Sequence, residues 1–310
     1  MSSELYLSRG ALLFGGMDPP PDKVDAIVIG IPYDMTTTYR PGSRFAPTAI
    51  RRASQEIEFY SIRSDVDVEE YGIMDLGDIA IVQNPQAMIE RISVVVGDLV
   101  SRYQGRLHVY LGGEHTVTVG IVKGVFREFP SLCTLIFDAH LDLRNIYLDE
   151  KINHSTTTRR LIEIVGPEKV YLVGVRAFTR EEQEYAKQNK IHFTDIRSIR
   201  LLGLSEVTRR VSKWYSTNKC KYLHVSIDLD VLDPAYAPGV STPEPDGLEI
   251  WALLEMIHAI LLNRLIEFFS IDIVELTPPY DCSGITSTAA AKIAVEAIAA
   301  YISKTKEQTR

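Results

Sequence analysis

Short apolar runs alternate along this chain with stretches in which apolar positions recur every three or four residues. The first run, Ala26-Ile27-Val28-Ile29-Gly30-Ile31-Pro32, is apolar on both faces, as strands covered on both sides are. Others follow at Leu107–Leu111, Leu132–Asp138, Val170–Val175, Tyr222–Ile227 and Phe268–Leu276. Shorter strands are predicted near Ile191–Phe193 and, at an edge, over Tyr71–Ile79 within the acidic and irregular stretch Asp65–Ile81. Met88, Ile89, Ile92, Val95, Val96, Leu99 and Val100 give Pro85–Tyr103 the period of an amphipathic helix. Helices are also predicted from Pro47, where proline suits the first turn, and over about 116–129, 157–165, 179–189, 205–217, 248–263 and 287–304.

Strands alternating with helices of this length predict an α/β fold of three layers, α/β/α, with a mostly parallel central sheet of about eight strands. No linker or break in composition divides residues 1–310, so a single domain is expected. Residues 1–24 lack periodicity and end on Pro19-Pro20-Pro21. They read as an irregular N-terminal arm lying on the surface or on a neighbouring subunit.

Composition narrows the classes. A net charge of −8 argues against nucleic acid, which calls for a basic patch, and mildly favours a cationic small molecule. No stretch approaches the roughly 18 uninterrupted apolar residues of a membrane span, and nothing at the start reads as a signal peptide. The three cysteines, Cys133, Cys220 and Cys282, are odd in number and far apart. They argue against disulfides or a zinc knuckle and for a reducing cytoplasm.

Chemistry concentrates where strands end, the rim at which open α/β sheets bind ligands. His115 follows Leu107–Leu111 and Gly112-Gly113; Asp138, His140 and Asp142 follow the next strand. Asp228 and Asp230 close the strand after Tyr222, and Glu275 closes the one after Phe268. Alternate residues of an extended chain share a face, so Asp138, His140 and Asp142 are expected to project together, as are Asp228 and Asp230. Unpaired carboxylates cost too much to desolvate to be a passive core. Asp233, before Pro234, reads as a turn cap rather than a ligand. Imidazoles with carboxylates and no thiolate suit manganese or a similar ion. Six such groups suit two ions sharing carboxylates and activating a water for hydrolysis. His154, in a polar loop, is the candidate proton carrier because an ordinary histidine titrates near neutrality. Glu275, held before Pro278-Pro279, is the candidate partner of a planar cation such as a guanidinium.

At these residues the chain resembles the ureohydrolases, the family of arginase and agmatinase. The resemblance rests on Gly112-Gly113-Glu114-His115, Asp138-Ala139-His140-Leu141-Asp142 and Ser226-Ile227-Asp228-Leu229-Asp230-Val231-Leu232-Asp233-Pro234, and runs from about Ile27 to the last helix. It implies one manganese on His115, Asp138, Asp142 and Asp228, and a second on Asp138, His140, Asp228 and Asp230. It further implies that Asp142 orients a metal-bridging hydroxide that attacks the guanidinium carbon, that His154 shuttles the proton, and that Glu275 binds the guanidinium. Trimers or hexamers are the family's usual assemblies.

The segments Tyr39–Phe45 and Pro278–Gly284 resemble agmatinases most, which implies agmatine as substrate, with putrescine and urea as products. The loop Leu143–Asn153 has no Ser or Thr to hold an α-carboxylate and carries Asp149 and Glu150 instead, suited to a substrate ending in an ammonium. Glu114, Ser155 and Asp246 depart from the family pattern, at positions where it has aspartate, glycine and glycine. The competing readings are an arginase or guanidinobutyrase, a mononuclear zinc deacetylase of the same fold, and a binding protein without catalysis.

Overall fold

The computed structural model describes residues 3–309. In chain order the first part contains β1 (Leu7–Ser8), β2 (Ala26–Gly30), α1 (Ala46–Ser54), β3 (Tyr60–Ser61), β4 (Val66–Asp67), β5 (Ile73–Ile79), α2 (Pro85–Arg102), β6 (Leu107–Leu111), α3 (Val117–Glu128) and β7 (Leu132–Phe137). Then come α4 (Thr157–Val165), β8 (Val170–Val175), α5 (Arg180–Gln188), β9 (His192–Asp195), α6 (Ile196–Leu202) and α7 (Leu204–Thr217). The chain finishes with β10 (Tyr222–Asp228), α8 (Ile250–Leu261), β11 (Phe268–Val274) and α9 (Ile285–Thr309).

Nine strands form one sheet in the order β1-β5-β2-β6-β11-β10-β7-β8-β9. Every neighbouring pair is parallel except β1 with β5. Side chains alternate between the faces, which splits the apolar residues into two clusters. Val28, Val109, Leu135 and Ile271 join one face under α1, α7, α8 and α9. Ile27, Ile29, Tyr110 and Ile136 join the other under α2, α3 and α4. This is the three-layer architecture that the alternating pattern predicts.

Four local expectations need correcting. The N-terminal arm is not wholly irregular: Leu7 and Ser8 pair with Ile79 and Asp78 and become the edge strand, which moves β5 one place inward and brings the sheet to nine strands. A small antiparallel hairpin, β3 with β4, leads into the acidic stretch, which is therefore not irregular at its start. The helix predicted over 205–217 is preceded by a second one, α6, and the two are separated at Gly203, whose φ of 79° suits glycine.

The fourth concerns the cysteines. Cys133 and Cys220 form a disulfide, with Cα atoms 5.7 Å apart. The bond is set by sheet order: β7 and β10 are neighbours, so Cys133 in one lies beside the residues entering the other. Spacing along the chain carries no trace of that adjacency. The cytoplasmic expectation therefore loses the support drawn from unpaired cysteines. One helical segment, Ile285–Lys306, is long and apolar enough to cross a membrane, but 78% of its apolar window is buried against the fold.

Candidate active site

The residues singled out at strand ends come from β6, β11, β10 and β7, four consecutive strands at the centre of the sheet. Because these strands run parallel, their carboxyl ends share one rim. A narrow cleft of about 40 Å³ opens there, lined by His115, His140, Asp142, His154, Asp228, Asp230 and Glu275, together with Ser155 and Thr242.

The backbone brings the groups together differently from simple strand alternation. β7 ends at Phe137, and Asp142 has a left-handed φ of 50°, so a turn aims its carboxylate back at the site. Asp228 is the last residue of β10, whereas Asp230 lies in a single 3-10 turn, Leu229–Val231. Glu275 also adopts a left-handed φ, 67°. A non-glycine residue in that region is uncommon and costs energy, and such residues gather at functional sites.

His115 Nδ1 lies 3.1 Å from Asp138 Oδ2, 3.2 Å from Asp142 Oδ2 and 3.4 Å from Asp228 Oδ2. His140 Nδ1 lies 2.9 Å from Asp230 Oδ2 and 3.5 Å from Asp138 Oδ1. His115–Asp138–Asp142 and Asp138–His140–Asp230 form two triads with donor atoms within 4.8 Å of one another, and Asp138 belongs to both. The buried His115 Nδ1 and Asp138 Oδ2 have no hydrogen-bond partner. Orphaned donor atoms of nitrogen and oxygen, facing each other in the core, fit a divalent cation.

Electrostatics show the strain of that arrangement. Burial pulls the His115 imidazole down, but Asp138 and Asp142 outweigh it and carry it well above its ordinary value. Against burial, His140 is raised to about 12 by Asp230 and Asp138. Asp138, though buried, is held well below the usual carboxylate range by His115 and His140. Burial and the Asp138 charge push Asp142 up to about 7, and burial with Asp230 and Asp138 raises Asp228 well above normal. Repelling carboxylates of this kind are relieved by a bound cation.

His154 starts a 3-10 turn capped by Asn153. Its Nδ1 is 2.9 Å from the Thr36 carbonyl and its Nε2 3.3 Å from Thr38 Oγ1. A carbonyl only accepts, so Nδ1 carries the proton and Nε2 accepts from the Thr38 hydroxyl. Burial lowers this imidazole to about 4. Glu275 accepts the His115 backbone N–H at 2.6 Å and the Ser241 hydroxyl, while burial lifts it to about 7.

Asp233 is a turn cap, accepting from the N–H groups of Ala235 and Gly247. Asp246 forms a surface ion pair with Arg200 and does not line the cleft. Nor do Asp149 and Glu150: a wider outer cavity of about 300 Å³ is walled by Arg144, Phe178, Glu182 and Glu244. The two segments carrying the agmatinase resemblance pack together, with the Arg40 guanidinium 5.3 Å from the centre of the Tyr280 ring. A Cβ on Gly42 would sit 2.6 Å from Pro279 Cγ, so glycine is required there.

Residues 24–300 match the arginase family model. The chain belongs to the arginase family. Among its relatives, the agmatinase of Bacillus subtilis is 36% identical over 285 residues, 92% of this chain and 94% of that protein. The N(1)-aminopropylagmatine ureohydrolase of Thermococcus kodakarensis is 33% identical, covering 81% of this chain and 83% of its own length. The crystal structure of the agmatine ureohydrolase of Thermoplasma volcanium superposes with a TM-score of 0.86 at 32% identity, over 96% of this chain and 97% of that one.

In this arginase-family site several supporting residues escape the strand-end rule. Ser226 Oγ meets His115 Nε2 at 3.2 Å and donates to Asp272 at 2.6 Å, while Thr118 and His224 also bind Asp272. Arg176 donates to the carbonyls of Asp230, Val231, Leu232, Glu244 and Pro245, tying the Asp230 turn to the outer wall. A signal for Asp272 and His224 does exist in the chain, since each puts an ionisable group inside a largely apolar strand. No local pattern marks Arg176.

Proposed function

We propose that this chain is a binuclear manganese amidinohydrolase that cleaves agmatine to putrescine and urea. The observation that carries the reading is the pair of imidazole–carboxylate triads that share Asp138 and whose other members, His115, Asp142, His140 and Asp230, line the cleft. His115, Asp138, Asp142 and Asp228 would hold one ion, and Asp138, His140, Asp228 and Asp230 the other. Bound there, the ions would supply Lewis-acid activation of a water molecule.

The chain's own groups do the rest. Asp142 orients the water as it adds to the guanidinium carbon. Glu275 has lone pairs left after binding His115 N–H and Ser241, and these accept the guanidinium N–H groups at the cleft wall. His154 keeps its own proton on Nδ1, so Nε2 exchanges the Thr38 hydroxyl for the proton given up by the adding water and passes that proton to the departing amine as the C–N bond breaks. Proton transfer by one placed side chain is worth roughly 10²–10⁴-fold in rate.

The substrate assignment draws on the agmatinase relatives and on the outer cavity, where Glu182 and Glu244 offset Arg144. A second reading, an amine-extended agmatine, is favoured by the breadth of that cavity and by the Thermococcus kodakarensis relative. A trimer or hexamer remains the expected assembly, and the exposed side chains of Tyr39, Phe45 and Tyr280 are candidate contacts for it.

Urea release from agmatine, aminopropylagmatine, arginine and 4-guanidinobutyrate by the manganese-loaded protein tests the proposal. Agmatine should be the best substrate. Fast turnover of another compound beside inert agmatine overturns the specificity, and one zinc per chain without manganese activation overturns the binuclear site.

A further inference from the structure

Glu114 stands immediately before His115 but faces away from the triads, and its carboxylate is fully buried. No cation pairs with it among the described residues. It is held by the Thr36 N–H at 2.8 Å, the Thr36 hydroxyl at 2.7 Å and the Thr37 hydroxyl at 3.1 Å. Thr36 in turn grips His154 at two points: its hydroxyl accepts the His154 backbone N–H at 3.0 Å, and its carbonyl accepts Nδ1–H at 2.9 Å. The same carbonyl takes the Asn153 side-chain amide at 3.3 Å.

We infer that Glu114 is a positioning residue, which through Thr36 fixes the placement and tautomer of the His154 imidazole over the cleft. This inference rests on the proton-carrier role proposed above. A buried carboxylate without a counter-ion is expensive, and packing alone would be served better by an apolar side chain. What only the carboxylate supplies is two strong acceptors for Thr36, one taking its N–H and one its hydroxyl. With both Thr36 donors committed, the hydroxyl oxygen and the carbonyl are left to accept from His154. Reach matters as well. Removing one methylene withdraws the carboxylate by roughly 1.5 Å, beyond hydrogen-bonding distance of Thr36 unless the Asp34–Thr38 segment moves. The glutamate and the Thr36 contact are therefore matched.

The test uses the manganese-loaded protein and whichever guanidino compound the wild type hydrolyses. E114Q keeps the shape but turns one acceptor into a donor facing Thr36. It should lower kcat roughly 10- to 100-fold, as expected for a misplaced reacting group, with KM and metal content per chain unchanged. In an H154N background, E114Q should cost nothing further. Nitrogen NMR of imidazole-labelled, metal-free protein should show a single Nδ1–H tautomer for His154 in the wild type and a mixture in E114Q. T36V removes the intermediary hydroxyl and should behave as E114Q does, so it carries the same test if E114Q does not fold. An unchanged kcat, a loss that persists in the H154N background, or a loss that tracks metal content overturns the inference. If the wild type hydrolyses no guanidino compound, the functional reading fails and the inference fails with it. Active wild type beside an indifferent E114Q removes only the role of Glu114.

Discussion

Ser226 and Asp272 face each other on neighbouring strands, and the Ser226 hydroxyl donates to Asp272 Oδ1 at 2.6 Å. Its proton being spent there, the Ser226 oxygen accepts from His115 Nε2, which assigns Nδ1, aimed at Asp138 and Asp142, as the nitrogen that gives up its proton when a cation binds. Outer partners of this kind typically account for 10- to 100-fold in metal affinity. A D272N variant is expected to bind manganese about 10- to 100-fold more weakly. Competition with a chelator measures it, and unchanged affinity would show that Asp272 serves only the core.

Removing the metal should destabilise the fold. Ligands that bind only the native state add about 2.7 kcal/mol at a concentration of one hundred Kd. Chelation is therefore expected to lower Tm and manganese to restore it, as read by calorimetry. A melting curve indifferent to both counts against the whole cation site.

His108 gives the stability a pH dependence apart from that site. It is fully buried between the Tyr110 hydroxyl and the Tyr103 carbonyl, and burial lowers it to about 4. The unfolded chain protonates this ring near pH 6.5 and the native one near 4, so its contribution is complete above 6.5 and is lost as pH falls through that window. The loss amounts to about 3 kcal/mol. Denaturant melts between pH 7 and 4 should show this slope, and H108Q should flatten it whatever its own stability.

The Cys133–Cys220 bond closes a span of 87 residues. On chain-entropy grounds such a loop stabilises by about 4.5 kcal/mol. A C133A/C220A variant is expected to lose stability of that order. In the native protein, alkylation should reach only the exposed Cys282 until a reductant is added; three reactive thiols without reductant would contradict the pairing.

Much of the fold was legible in the chain because its signals are local. Both faces of a central parallel strand are buried, so Ala26–Gly30 and Val170–Val175 read as continuous apolar runs, and the helices between them follow their own period. Leu7 and Ser8 were not legible, since two residues carry no period and their pairing partner is Ile79 and Asp78. The separation of α6 from α7 turns on Gly203 alone.

The amino-acid sequence by itself determined which polar groups end the apolar strands: His115, Asp138, His140, Asp142, Asp228, Asp230 and Glu275. A strand's direction and length are local properties, so the position of its carboxyl end is written in its own residues. Only the tertiary structure decided that β6, β11, β10 and β7 are neighbours and that Asp138 stands in both triads. It also decided that Cys133 meets Cys220, and that Glu114 reaches His154 through Thr36. These contacts join residues far apart in the chain. Sheet order and the burial of two faces create them, and no period or spacing within a segment records them.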